Sequence, residues 1–172
     1  MERVVVNASS VVLRPAREDD RPLLHRVYAS TRQEELAAVG WNDAQRAWFL
    51  AMQADLQARA FAQMYPTADW QVVVCDGQPV GRVVVDRSSD AIRLVDIALL
   101  PGYRNAGIGS ELLRRLLDEA AAAGKLVILH VARSNRARAL YQRLGFAISM
   151  WDDVYLEMQW RPGGDAAIQP AP

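Results

Sequence analysis

The sequence predicts a mixed α+β domain built around one β-sheet. Three observations carry that prediction. Apolar residues alternate between helical spacing and strand spacing in the order β-α-α-β-β-β-α-β-α-β-β. Turn residues such as Asp76-Gly77, Gly124 and Gly145 separate many of these stretches. The length, 172 residues, suits a single substantial core.

Taken in order, VVLRP (11–15) reads as a strand closed by proline. In the following AREDD, Asp19 or Asp20 is placed to cap a helix running to about Arg32, with Leu23, Leu24, Val27 and Tyr28 at helical spacing. Residues 31–41 are less regular and read as a loop. Asn42-Asp43 caps a second helix that runs to about Met64, with Ala47, Trp48, Leu50, Ala51, Ala54, Leu56 and Phe61 along its apolar side. WQVVVC (70–75) and VGRVVVD (80–86) form a hairpin across Asp76-Gly77-Gln78-Pro79, and RSSD (87–90) is a further short turn. IRLVDIALL (92–100) is almost continuously apolar, the pattern of a strand covered on both faces.

A helix over 107–123 follows, with Leu112, Leu113, Leu116, Leu117 and Ala120 as its stripe and Gly124 as its C-terminal stop. KLVILHV (125–131) is a buried strand. A short helix over 135–143 stops at Gly145, and 146–150 and 154–160 are the last two strands. One domain is expected over 1–161. The Pro/Gly/Ala-rich segment 162–172 reads as a disordered tail.

Composition narrows the function classes. Hydrophobic residues make up 51% and charged residues 23%, with a formal net charge of +0. No global field favours nucleic acid or an acidic membrane, and neither is expected as a partner. Lys125 is the only lysine beside many arginines and alanines, a pattern of GC-rich bacterial genomes. Cys75 is the only cysteine, so no intramolecular disulfide is possible, and its alternating context reads as a buried, inert thiol. MERVVVNASS lacks the apolar stretch of a signal peptide, and no apolar run approaches the ~20 residues that span a bilayer. A soluble, cytoplasmic protein is expected. With one cysteine and two histidines, His25 and His130, a Cys/His zinc site is not expected.

The stretch PGYRNAGIGS (101–110) sits between a strand and a helix. That geometry suits an anion. The first N–H groups of a helix lack internal partners, the helix dipole places positive charge there, and glycine lets backbone approach a phosphate. It is not a Walker A loop, since no Gly-Lys-Ser/Thr follows. It is not the dinucleotide fingerprint, since Leu112 stands at the third glycine position. On local physics alone, an anion site and a tightly packed helix start are both open.

Residues beyond the turn add to this. IALLPGYRNAGIGSELL resembles motif A of the GCN5-related N-acetyltransferases (GNAT), whose core Arg/Gln-x-x-Gly-x-Gly/Ala matches Arg104 to Gly109. NRARALYQRLGF (135–146) is similar to motif B, through Asn135, Ala139, Leu140, Tyr141, Gly145 and Phe146. The likeness is strong over 70–160 and weaker over the two N-terminal helices.

The resemblance implies a central, mainly antiparallel sheet of about seven strands, flanked by about four helices, in which two neighbouring parallel strands splay to admit acetyl-CoA. Ile97, Ala98 and Leu99 would pair with the pantetheine arm. Backbone N–H groups from Arg104 through Asn105, Ala106, Gly107, Ile108 and Gly109 to Ser110 would hold the pyrophosphate. On that basis Asn105, Ala106 and Ile108 are expected to vary freely. Asn135 would bond the pantetheine or its neighbourhood; as a helix cap it is equally good physics. The implied reaction moves an acetyl group to a primary amine by direct attack in a ternary complex, with no metal.

Tyr141 matches the acid that protonates the departing sulfur, although a tyrosine there could also be packing. Base candidates are His130, whose residue type ordinarily titrates near neutral pH, and Asp96, which would need burial to raise its pKa or could orient substrate. His130 could equally be a satisfied histidine pointing into another layer. Arg32, Glu34, Glu35, Trp41, Tyr65 and Trp151 are candidate acceptor-lining residues for a small-molecule or peptide amine. Glu34 and Glu35 could also be solvated charges. A homodimer is expected from the resemblance alone. A non-catalytic acyl-CoA-binding or interaction module on the same fold is the alternative.

Overall fold

The computed structural model describes residues 11–36, 40–87 and 90–164, and the side chains of 33–35 stand outside that description. The order is β1 (Val11–Pro15), α1 (Arg21–Leu36), α2 (Asp43–Met64), β2 (Asp69–Cys75), β3 (Gln78–Asp86), β4 (Ala91–Leu99), α3 (Ile108–Ala123), β5 (Leu126–Ala132), α4 (Arg138–Arg143), β6 (Ala147–Trp151) and β7 (Tyr155–Trp160). The expected mixed α+β class is what is found. Seven strands form a sheet in the order β1-β2-β3-β4-β5-β7-β6. Its parallel pair is β4–β5, and β1–β2, β5–β7 and β6–β7 are antiparallel. No described helix is long and apolar enough to cross a membrane.

The chain divides into two compact units, residues 1–84 with 96–109, and residues 85–95 with 110–172. In the first unit, Leu23 and Val27 of α1 pack with Val72 of β2 and Ala98 of β4, and Tyr28 packs with Leu50 and Ala54 of α2. The second helix starts as its sequence dictates. Asn42 Oδ1 accepts the Gln45 N–H at 2.9 Å, and Gln45 Oε1 accepts the Asn42 N–H at 3.0 Å. This reciprocal cap satisfies two backbone donors that the helix cannot. The apolar side predicted for α2 is wider than the face it buries. Leu50 and Ala54 are buried, whereas Trp48 is 69% and Leu56 49% exposed.

The start of α1 corrects the sequence reading. Asp20 lies in a 3-10 turn, Glu18–Asp20, that runs directly into the helix. Its carboxylate is buried and accepts from Arg14 Nη1 and Nη2, at 2.7 and 2.6 Å, and from the Arg17 N–H at 2.8 Å. It ties β1 to the turn instead of capping α1. Residues 31–36, expected as loop, continue α1 to Leu36, so the Glu34 and Glu35 backbones are helical.

The Arg14 guanidinium holds the Asp20 carboxyl down to about 2 from the usual 3.8. A carboxyl lowered on folding contributes stability above its unfolded value and loses it as pH falls through the folded one. Asp20→Asn is therefore expected to cost about 1–2 kcal/mol at neutral pH, allowing for solvent screening at Arg14. The deficit should shrink as pH falls from about 4 towards 2. Urea unfolding of both proteins across that range checks it.

In the second unit, all five stripe residues of α3 (Leu112, Leu113, Leu116, Leu117 and Ala120) are buried. The helix stops where glycine permits it. Gly124 has φ +63° and Lys125 N–H returns to the Ala120 carbonyl at 2.9 Å. Gly145, at φ +91°, turns the chain from α4 into β6. β4 alternates buried and half-buried positions instead of being covered on both faces; β3 is the strand buried almost throughout. Cys75 is buried, as its context suggested. Of the expected tail, residues 162–164 form a turn, and 165–172, like 1–10, lie outside the described residues.

Candidate active site

In the first unit, β4 ends at Leu99 and a short 3-10 turn, Pro101–Tyr103, carries the chain towards α3. Asn105 (φ +59°) and Gly107 (φ +85°) both occupy the left-handed region before the helix begins at Ile108. Nothing lies within 4 Å of a Cβ built on Gly107, so its glycine answers to backbone conformation and not to crowding. Alternating backbone of this kind turns successive N–H groups towards one concave side, and the first turn of α3, with Gly109 and Ser110, adds unpaired donors. Exposed Asn105, half-buried Ala106 and buried Ile108 complete the turn.

Two expectations about this turn are corrected. Asn105 is not free to vary, because its positive φ favours asparagine or glycine. Ile108 is not free to vary either, because its side chain is buried. Arg104 is held in place: its Nε donates to the Leu99 carbonyl at 2.8 Å, and its Nη2 to Ser30 Oγ at 2.7 Å.

The strand before the turn is held from two sides. Arg82 of β3, with a side chain only 5% exposed, donates its Nε to Asp96 Oδ2 at 2.6 Å and its Nη2 to Gln57 Oε1 of α2, also at 2.6 Å. The Asp96 carboxylate is thereby committed to a buried guanidinium. Gly81 allows β3 to press against the same strand, since a Cβ there would stand 2.5 Å from the Ala98 carbonyl oxygen. Ala98 is buried, and Ile97 and Leu99 are half-buried. Sequence reasoning missed Gly81, Arg82 and Gln57. The available signals were a glycine and an arginine inside the apolar run VGRVVVD.

Candidate acceptor residues of this unit each engage nearby groups. Arg32 lies over the Tyr28 ring, 5.8 Å from its centroid. Trp41 packs edge-on to Phe49 at 4.9 Å. Tyr65 ends α2, its N–H donating to the Phe61 carbonyl at 2.7 Å. The side chains of Glu34 and Glu35 lie outside the described residues.

In the second unit, His130 of β5 faces Glu157 of β7 across an antiparallel pair, Nε2 to Oε2 3.4 Å, with its side chain 49% exposed. Burial pushes the Glu157 carboxyl up, but hydrogen bonds from Ser149 and Gln159, with the nearby His130 and Arg93, more than offset it and leave it below the usual range. Glu157 therefore stands as an anion beside the imidazole. Asn135 Oδ1 accepts the Ala137 N–H at 2.9 Å, and its carbonyl accepts the Arg138 N–H at 3.2 Å, so it closes a turn ahead of α4; the helix begins at Arg138 with Ala137 at its N-cap, not with Asn135 as the expected cap. Tyr141 is buried on α4 and packs edge-on to Phe146, ring centroids 5.8 Å apart at 64°. Trp151 ends β6, half-buried.

A family model described as an acetyltransferase (GNAT) domain matches residues 66–148. A [ribosomal protein bS18]-alanine N-acetyltransferase of Haemophilus influenzae is 35% identical over 72 residues, 41% of this chain and 49% of that protein. The chain thus matches about half the length of this curated relative. The PaiA N-acetyltransferase of Thermoplasma acidophilum, solved with coenzyme A, aligns at TM-score 0.66 and 18% identity, over 88% of this chain and 99% of that one. A histone acetyltransferase HPA2 and related acetyltransferase structure from Corynebacterium glutamicum aligns at 0.63 and 22%, over 92% and 99%. At these identities the structures establish the fold. Residues 66–148 thus resemble the acetyltransferase (GNAT) domain, and the whole chain shares the fold of these solved acetyltransferase structures.

Proposed function

We propose that this protein is an N-acetyltransferase that moves an acetyl group from acetyl-CoA to a primary amine of a small molecule or peptide. The observation that carries the reading is the turn 104–110, where Asn105 and Gly107 at positive φ lead into the start of α3. Those features suit a pyrophosphate, which needs several N–H donors and no intruding side chain. The match of residues 66–148 to the acetyltransferase (GNAT) domain and the coenzyme A held by the PaiA structure support the same donor. The Haemophilus relative's name, which specifies an alanine of a ribosomal protein as acceptor, favours a peptide amine.

In this reading the neutral amine attacks the thioester carbonyl, the N–C bond forms, and the C–S bond breaks. The Leu99 backbone N–H stabilises the oxyanion, Tyr141 gives its proton to the leaving sulfur, and the surplus proton of the amine passes to His130, directly or through water. Asp96, held by Arg82, orients the acceptor.

Calorimetry with acetyl-CoA, followed by thiol release against an amine library, tests the proposal. Absence of acetyl-CoA binding would overturn it, and binding without thiol release from any amine would leave a non-catalytic module. Once an acceptor is in hand, His130→Ala should remove the acid-side limb of the pH–rate profile. That limb exists because the base must be unprotonated, so wild-type rate rises with pH through it. An unchanged profile would move the base to water.

A further inference from the structure

We infer that Arg82 and Gln57 are positioning residues for the donor strand, making acetyl-CoA affinity depend on helix α2, to which the proposal above assigns no ligand contact. The inference rests on that proposal and extends it to residues that carry no family motif.

The physical oddity is Arg82 itself. A guanidinium inside a strand buried along nearly its whole length is costly unless its charge and donors are matched. It is matched on two sides. Nε takes Asp96, the residue immediately before Ile97–Leu99, and Nη2 takes Gln57 of α2, each at 2.6 Å. One planar group therefore joins β3, β4 and α2, and its fixed fork leaves little angular freedom to any of them. Next to it, Gly81 brings β3 into contact with the Ala98 carbonyl and Leu99, so the strand cannot move towards β3. At the other end of the segment, Arg104 holds the Leu99 carbonyl and reaches Ser30 of α1. Residues 96–99 are thus gripped at both ends by arginines whose second arms rest on α1 and α2. A strand that must present fixed N–H and C=O groups to an extended ligand gains from such pre-organisation, because less ordering remains to be done on binding.

Gln57 is the informative position. It lies on α2 and is joined to β4 through Arg82, and its removal leaves both members of the Arg82–Asp96 pair in place. Gln57→Ala should weaken acetyl-CoA binding roughly fivefold, the scale of coupling carried by a residue that does not touch the ligand. Amide hydrogen exchange over residues 94–100 should rise, while exchange over 126–132 stays unchanged. Gln57→Glu, which keeps an oxygen acceptor for Arg82, should restore binding to within about twofold of wild type. Arg59→Gln, an exposed change two residues further along α2, should leave both readouts alone.

Calorimetry and exchange are run well below each protein's melting temperature, so that a loss of global stability does not enter. If Gln57→Ala binds acetyl-CoA like wild type, or if exchange rises uniformly along the chain, the positioning role is overturned and the proposed function stands. If wild type itself fails to bind acetyl-CoA, the proposed function falls first and this inference with it.

Discussion

Replacing Tyr141 by Phe is expected to lower turnover by about a hundredfold or more, while acetyl-CoA affinity stays within about twofold of wild type. The substitution isolates the hydroxyl. Tyr141 is buried and its ring packs edge-on to Phe146, contacts that a phenylalanine ring keeps. What disappears is the proton donor proposed for the departing sulfur. A thiolate is a much better leaving group than an amide nitrogen, so the loss should sit towards the low end of what general acids contribute. Steady-state thiol release at saturating acetyl-CoA, with calorimetry of the same variant, separates the two effects. Intact turnover would assign Tyr141 to packing alone. Turnover and affinity falling together would point to a displaced helix α4.

Gly81→Ala is expected to destabilise the protein by about 2–3 kcal/mol, although it adds a single methyl group. At most surface positions that change is neutral or slightly favourable, since alanine restricts the unfolded chain more than glycine. Here the new Cβ would meet the Ala98 carbonyl oxygen at 2.5 Å and Leu99 Cδ2 at 2.6 Å. The side chain can rotate away, but the backbone oxygen can retreat only if β4 moves. Urea denaturation measures the stability loss. Because the displaced residues are those proposed to pair with pantetheine, acetyl-CoA affinity should fall as well. A variant as stable as wild type would show that β3 and β4 can part at little cost, and would weaken the case for a rigid donor strand.

Local chemistry explains most of what was legible in the chain. Asn42 and Gln45 announce the start of α2 because both partners of the reciprocal cap lie within one helical turn. Gly124 and Gly145 announce stops because only a residue without Cβ adopts their φ values cheaply. The α3 stripe is buried at every predicted position, since a strong helical period leaves one face to cover. Where reading failed, the deciding partner was distant or the choice was between two acceptable local states. Asp20 could cap a helix, but Arg14 on the preceding strand offers a charged, bidentate alternative. Trp48 and Leu56 repeat at helical spacing, but α2 is covered along only part of that arc.

The candidate site divides the same way. The Asn105–Gly107 turn and the start of α3 are visible in ten consecutive residues, because the anion cradle proposed there would be made of local backbone. The same letters do not say where side chains go. Arg104 turns to Leu99 and Ser30, Asn135 closes its own turn, and Arg82 joins Asp96 to Gln57 across 14 and 25 positions of sequence. By itself, then, the sequence determined the class of fold, the order of its elements, and the turn suited to the donor's phosphates, all of which depend on periodicity and on residues near one another. Only the tertiary structure decided which charges are committed to one another and which strand is clamped. Those outcomes depend on which side chains folding brings within 3 Å, and no local pattern encodes that distance.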